Sequence, residues 1–165
     1  DLHGEGHSFP TRRSSDLTLH TNDAPSTITR LINIGVEAYL ISAAVNCVLA
    51  QRLVRKICTE CREDDHDRPE RIQKYLDQIN QPDAKLYKGV GCDRCRGTGY
   101  KGRLGLYELL VVDDELRDLI TNEPQLTELR RFAVQKGMRT LAMDGMDKVQ
   151  KGMTTVEEIM RVTES

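Results

Sequence analysis

Two Cys-x-x-Cys hooks, Cys58-Thr-Glu-Cys61 and Cys92-Asp-Arg-Cys95, constrain this chain more than any other feature. A two-residue spacer lets one tight turn aim two sulfurs at the same point, and two such turns complete the four-thiolate tetrahedron that zinc prefers. The charged segment from Arg62 to Gly91 must then leave the site and return to it. Reduced thiols or two disulfides are the plain alternatives, but nothing in the sequence reads as secretory and disulfides are rare in the cytosol. An iron–sulfur centre also takes four thiolates, though its usual runs are spaced differently. Four protein ligands close the coordination sphere, so the expected Zn²⁺ is a structural staple and function lies elsewhere.

A length of 165 residues fits one ordinary domain or two small ones. The longest apolar run, Ala43 to Ala50, is broken by Asn46, far short of the ~18 to 20 residues that span a bilayer. Net charge is -2, with no Trp and two Phe, so neither the electrostatic footprint nor the stacking rings of a nucleic-acid binder stand out, and no nucleic-acid partner is expected. Residues 1–17 have no hydrophobic period, and Phe9 to Leu17 resembles translated sequencing-adapter text. No function is drawn from His3, His7 or the Arg12-Arg13 pair.

From Thr18 the pattern becomes regular. Asp23 as N-cap and Pro25 in a first turn predict a helix from about Pro25 to Ile34, ending at Gly35. Leu40, Ile41, Ala44, Val45, Val48, Leu49 and Leu53 predict a second helix from Val36 or Glu37 to about Lys56, with Cys47 as a small buried hydrophobe. Arg52 and Arg55 would share one face near its end, either as a phosphate clamp or as a solvated basic turn at a helix C-terminus. Between the hooks, Ile72, Tyr75, Leu76 and Ile79 predict a short amphipathic helix within Arg68 to Ile79, and Leu104 to Val112 reads as a strand. Four helices should follow: Asp113 to Thr121, Gln125 to Gln135, Leu141 to Gln150, and Val156 to Val162 capped by Thr155 with Glu158 three residues on.

The blocks LTLHTNDAPSTITRL, LAQRLVRKICTEC, GCDRCRGTGYKGRLGLYELL and DGMDKVQKGMTTVEEIMRVT together resemble the carboxy-terminal part of the secretion ATPases of type II secretion and type IV pilus assembly. They occur in the family's order and cover almost everything from Thr18 to Glu164. The resemblance implies an α/β parent with a RecA-like ATPase core, a fragment that is mainly α, and three parts: residues 18–57 as the end of that core, 58–106 as a tetracysteine zinc-binding subdomain with a short strand, and 107–165 as a carboxy-terminal helical subdomain. It also implies a cytoplasmic homo-hexamer, peripheral to the inner membrane, that uses ATP and Mg²⁺ and acts with a platform protein and other assembly proteins. His20 matches the second histidine of the family's histidine box, a segment near the nucleotide phosphates, and Arg52 or Arg55 would contact those phosphates.

The departures count equally. No Gly is followed by Lys anywhere, so the phosphate-cradling Gly-x-x-x-x-Gly-Lys loop is missing, as are the upstream acidic segments that position Mg²⁺. The position seven residues before His20, where the first histidine of the box belongs, holds Arg13. This polypeptide is therefore expected not to hydrolyse ATP alone. Two rival readings use the cysteines differently. Cys92-Asp-Arg-Cys95-Arg-Gly-Thr-Gly99 fits the unit repeated in DnaJ-type co-chaperones, but only one copy occurs. Arg94, Arg96, Lys101 and Arg103 would suit a zinc ribbon on nucleic acid, or equally a solvated face or a docking surface for an acidic protein.

Overall fold

The computed structural model describes residues 21–163. His20 and the adapter-like stretch lie outside the described residues. Helix α1 (Ala24–Asn33) forms as its caps dictate: the Asp23 carboxylate accepts from the Ser26 N–H at 2.8 Å, and Pro25 stands in the first turn.

The second predicted helix is overturned. Helix α2 is short (Ala38–Ala44), and strand β1 runs from Cys47 to Ile57. β1 pairs antiparallel with β4 (Tyr100–Val111), Cys47 opposite Val111 through Arg55 opposite Arg103, with a register shift before Ile57 opposite Tyr100. The run from Val48 to Val54 satisfies both periods, 3.6 and 2, so pairing with a distant strand decides between them. As a strand it sends Val54 inward, wholly buried, and leaves Leu49 and Leu53 outside. Cys47 opens β1 and is exposed, not buried as expected of a helical core position.

The predicted strand at Leu104 to Val112 exists and begins four residues earlier. Two strands appear where none was expected: β2 (Arg62–Asp65) pairs antiparallel with β3 (Leu86–Gly89). Arg-Glu-Asp-Asp has no β propensity to advertise it. Its charges find partners across the ladder, Lys85 to Asp64 at 3.0 Å and Lys88 to Asp65 at 3.2 Å, while the excursion carries α3 (Glu70–Gln78). The remaining helices follow the expected order: α4 (Asp114–Thr121), α5 (Leu126–Gln135), α6 (Leu141–Gln150) and α7 (Val156–Thr163).

Two hydrophobic cores share the β1–β4 ribbon. Leu110 at one end, with Val112 just past that end, packs with Ile28, Ile41, Ile120 and Leu129, joining α1, α2, α4 and α5. Val54 and Leu106 of its other end pack with Leu76, Leu86, Met146 and Ile159, joining α3, β3, α6 and α7. Each buried Leu or Ile contributes about 1.5–3 kcal/mol relative to an exposed one, which holds helices too short to persist alone.

Candidate functional site

The ribbon ends at the cysteines. Cys58 and Cys61 lie in the turn between β1 and β2, and Cys92 caps and Cys95 closes a 3₁₀ turn (Asp93–Cys95) just before β4. Main-chain bonds sew the two turns together: the Cys58 N–H donates to the Gly99 carbonyl at 2.9 Å, and the Val90 N–H to the Cys61 carbonyl at 3.0 Å. Gly89 and Gly99 permit the approach, because a Cβ on Gly89 would stand 2.0 Å from the Gly99 oxygen, and Gly99 itself has φ +75°.

All four sulfurs lie within 4.8 Å of one another. Cys58 to Cys92 and Cys61 to Cys95 are each 3.8 Å, and Cys92 to Cys95 is 3.7 Å. A Zn–S bond of about 2.3 Å in a tetrahedron places sulfurs about 3.8 Å apart, whereas a disulfide needs about 2.05 Å. The donor set therefore fits a four-coordinate soft cation, and the cysteines are free thiols. Burial pushes the Cys61 thiol up to about 12. Burial acts the same way on Cys95, but the Cys92 and Gly99 N–H groups, 3.2 and 3.3 Å from its sulfur, together with the Cys92 and Cys61 thiols, outweigh it and hold that thiol at about 6.

The other predicted site residues are not gathered there. Arg52 and Arg55 sit on a strand, where residues three apart point to opposite faces, so the shared face proposed for a phosphate clamp does not exist. Arg52 donates to the Thr21 carbonyl at 2.9 Å and to Asn22 Oδ1 at 3.2 Å, directly after His20. Arg55 is engaged by Glu158 and lies over the Tyr100 ring at 4.1 Å. Of the basic residues around the hooks, Arg94 is paired with Glu60 at 2.9 Å.

Two carboxylates escaped the sequence reading. Glu158, assigned to a cap, is buried between Arg55 and Arg161, while the Thr155 hydroxyl meets the Tyr100 hydroxyl at 3.1 Å. Glu108 is 4% exposed on β4, and burial pushes its carboxyl above the usual range, against the opposing pull of two main-chain N–H donors. The period-two row Leu106, Glu108, Leu110 carried that signal, since a carboxylate in an apolar row must find partners.

Residues 13–161 match the profile of a family described as type II/IV secretion system protein. The type IV pilus assembly ATPase PilB of Thermus thermophilus is 50% identical over 147 residues, covering 88% of this chain and 16% of that protein. The type II secretion system ATPase E of Vibrio cholerae is 42% identical over 146 residues, covering 88% of this chain and 29% of that protein. The chain thus spans less than a third of the length of these relatives. The solved pilus retraction motor PilT with bound ADP has the same fold over 90% of this chain and 32% of its own, with a TM-score of 0.54 at 21% identity.

Proposed function

The chain belongs to the type II/IV secretion system protein family, and on that premise we propose that it is the carboxy-terminal portion of an ATP-driven motor for pilus or pseudopilus assembly. The observation that carries this reading is the family match across residues 13–161, which encloses both cysteine hooks, every described strand and the helices α1 to α6, and reaches into α7. In the longer motor, upstream residues would bind Mg²⁺ and ATP, and His20 would stand near the phosphates. Arg52 would hold the segment after His20 rather than reach the nucleotide itself, because its hydrogen bonds go to Thr21 and Asn22. The motor would work as a hexamer at the cytoplasmic face of the inner membrane, driving a platform protein.

Zinc at Cys58, Cys61, Cys92 and Cys95 would staple the end of the β1–β4 ribbon, and no catalytic position would remain open on it. The chain's own contribution is a rigid frame. Arg62 reaches from the cysteine side to the Gly152 carbonyl at 3.2 Å, and the Ile57 N–H donates to the Met153 carbonyl at 2.9 Å, so the stapled turns are braced on the loop between α6 and α7.

Zinc content and ATP hydrolysis, measured on the same purified samples, test the reading. One zinc per chain is expected both in this polypeptide and in a longer motor that contains it, with turnover only in the longer protein. Turnover by the 165-residue chain alone, or a metal-free longer protein, would overturn it.

A further inference from the structure

Glu108 occupies the seam between the two cores. On the inner row of β4 it stands between Leu106, packed with α3, α6 and α7, and Leu110, packed with α1, α2, α4 and α5. Each of its oxygens accepts one main-chain bond: Oε1 from the Ala24 N–H at 2.8 Å and Oε2 from the Leu141 N–H at 3.1 Å. Ala24 and Leu141 are the first residues of α1 and α6, and both are buried. A helix N-terminus carries roughly half a positive charge, so these two ends work against the burial that pushes the Glu108 carboxyl above its usual range. Both carboxyl oxygens thus find donors between two apolar neighbours.

The α1 end of this link belongs to a segment held from several sides. Thr21 and Asn22 accept from Arg52 of β1, and Asp23 caps α1 while accepting from Arg130 of α5 at 2.7 Å. Ala24 completes the set through Glu108. These four residues directly follow His20.

We infer that Glu108 is a positioning residue of the motor, whose two oxygens fasten the segment following His20 to the start of α6, the helix that leads into the loop bracing the cysteine turns. The inference rests on the reading that His20 lies at the nucleotide. Its chemistry demands glutamate: glutamine offers one acceptor and turns its amide N–H₂ toward the second donor, and aspartate falls short by a methylene. An unpaired N–H at either helix start would let that helix shift against the ribbon.

The test uses the longer motor protein with Glu108→Gln and Glu108→Asp, read by steady-state ATP hydrolysis and by hydrogen exchange at the Ala24 and Leu141 amides. Glu108→Gln should lower kcat about tenfold or more with KM for ATP within about twofold, because a shift of ~1 Å remote from the chemistry can cost about a hundredfold. Both amides should lose protection together, and the zinc content should stay unchanged. Unprotected amides with a normal kcat would reduce Glu108 to a structural cap and overturn the inference, as would a lost kcat with both amides still protected. If Glu108→Gln does not fold, Glu108→Asp is judged by the same pair of readouts and the same two overturning outcomes. An unsubstituted longer protein without ATPase activity would instead sink the motor reading itself, and this inference with it.

Discussion

The Glu158 carboxylate takes hold of Arg55 three times, accepting from its main-chain N–H at 2.7 Å and from its guanidinium at 2.8 and 3.0 Å. The side chain of Glu158 is 2% exposed, that of Arg55 55%. Arg161, one turn on along α7, closes the other side at 2.9 Å. Helix α7 is thereby locked to β1 two residues before the ribbon reaches Ile57 and three before Cys58. This lock explains why Arg55, which the sequence offers as an anion contact, is already committed within the fold.

Replacing Glu158 by Gln should destabilise the protein by about 3 kcal/mol, the lower end for breaking a buried pair, since the arginines keep access to water. Burial alone would push the Glu158 carboxyl up, but the hydrogen bonds from Arg161 and Arg55 outweigh it and hold it at about 2, below its ordinary value of 4.5. A depressed acid stabilises the fold fully above its unfolded value and loses that contribution as pH falls through the folded one. Urea unfolding between pH 6 and pH 2 should therefore show the wild type losing stability below about pH 4.5, and Glu158→Gln losing less over the same range. Parallel pH curves for the two proteins would refute the assignment.

Cys95→Ser should leave three thiolates, lower zinc affinity by orders of magnitude and loosen 58–99 before the helical cores, because metal binding free energy is folding free energy for such a site. Hydrogen exchange with and without a chelator measures this. Deprotection spreading evenly through α4 and α5 would show that the staple is not local.

Gly99→Ala should be far more damaging than its size suggests. A Cβ there would stand 2.2 Å from the Gly89 oxygen at a φ of +75°, so the β2–β3 end of the cysteine turns would have to separate. A loss of about 2 kcal/mol or more is expected, with reduced zinc retention, by thermal unfolding and elemental analysis. An alanine variant with wild-type stability would mean that the two backbones are not in contact.

Val111→Cys tests the strand at residues 47–57 directly. Cys47 and Val111 are opposite one another across the ribbon, and both are exposed. Opposed strand residues stand about 4.5 to 5.5 Å apart at Cα, within disulfide reach. Mild oxidation of the zinc-loaded variant should cross-link position 111 to Cys47, giving a loop-closed species on a non-reducing gel. No cross-link under these conditions would favour the helical alternative.

Whatever depends on neighbours along the chain could be read from residue order alone. Asp23, Asp113 and Thr140 place helix starts through bonds to N–H groups three residues on, and α1 and α3 to α7 appear where their spacing puts them. The Cys-x-x-Cys spacers likewise fix each half of the metal centre, since two sulfurs per turn is a local property. The rest was settled by packing between distant segments. The run from Val48 to Val54 fits a helix or a strand, and it became a strand because Leu104 to Val111 lay beside it, fifty or more residues away in the chain. With that choice the faces changed: Arg52 and Arg55 parted, Arg55 met Glu158, and Cys47 came to the surface. Glu108 shows the same limit most plainly, because its two partners are 84 and 33 residues distant and no local pattern names them. A buried charge announces that partners exist; which ones they are is a matter of packing.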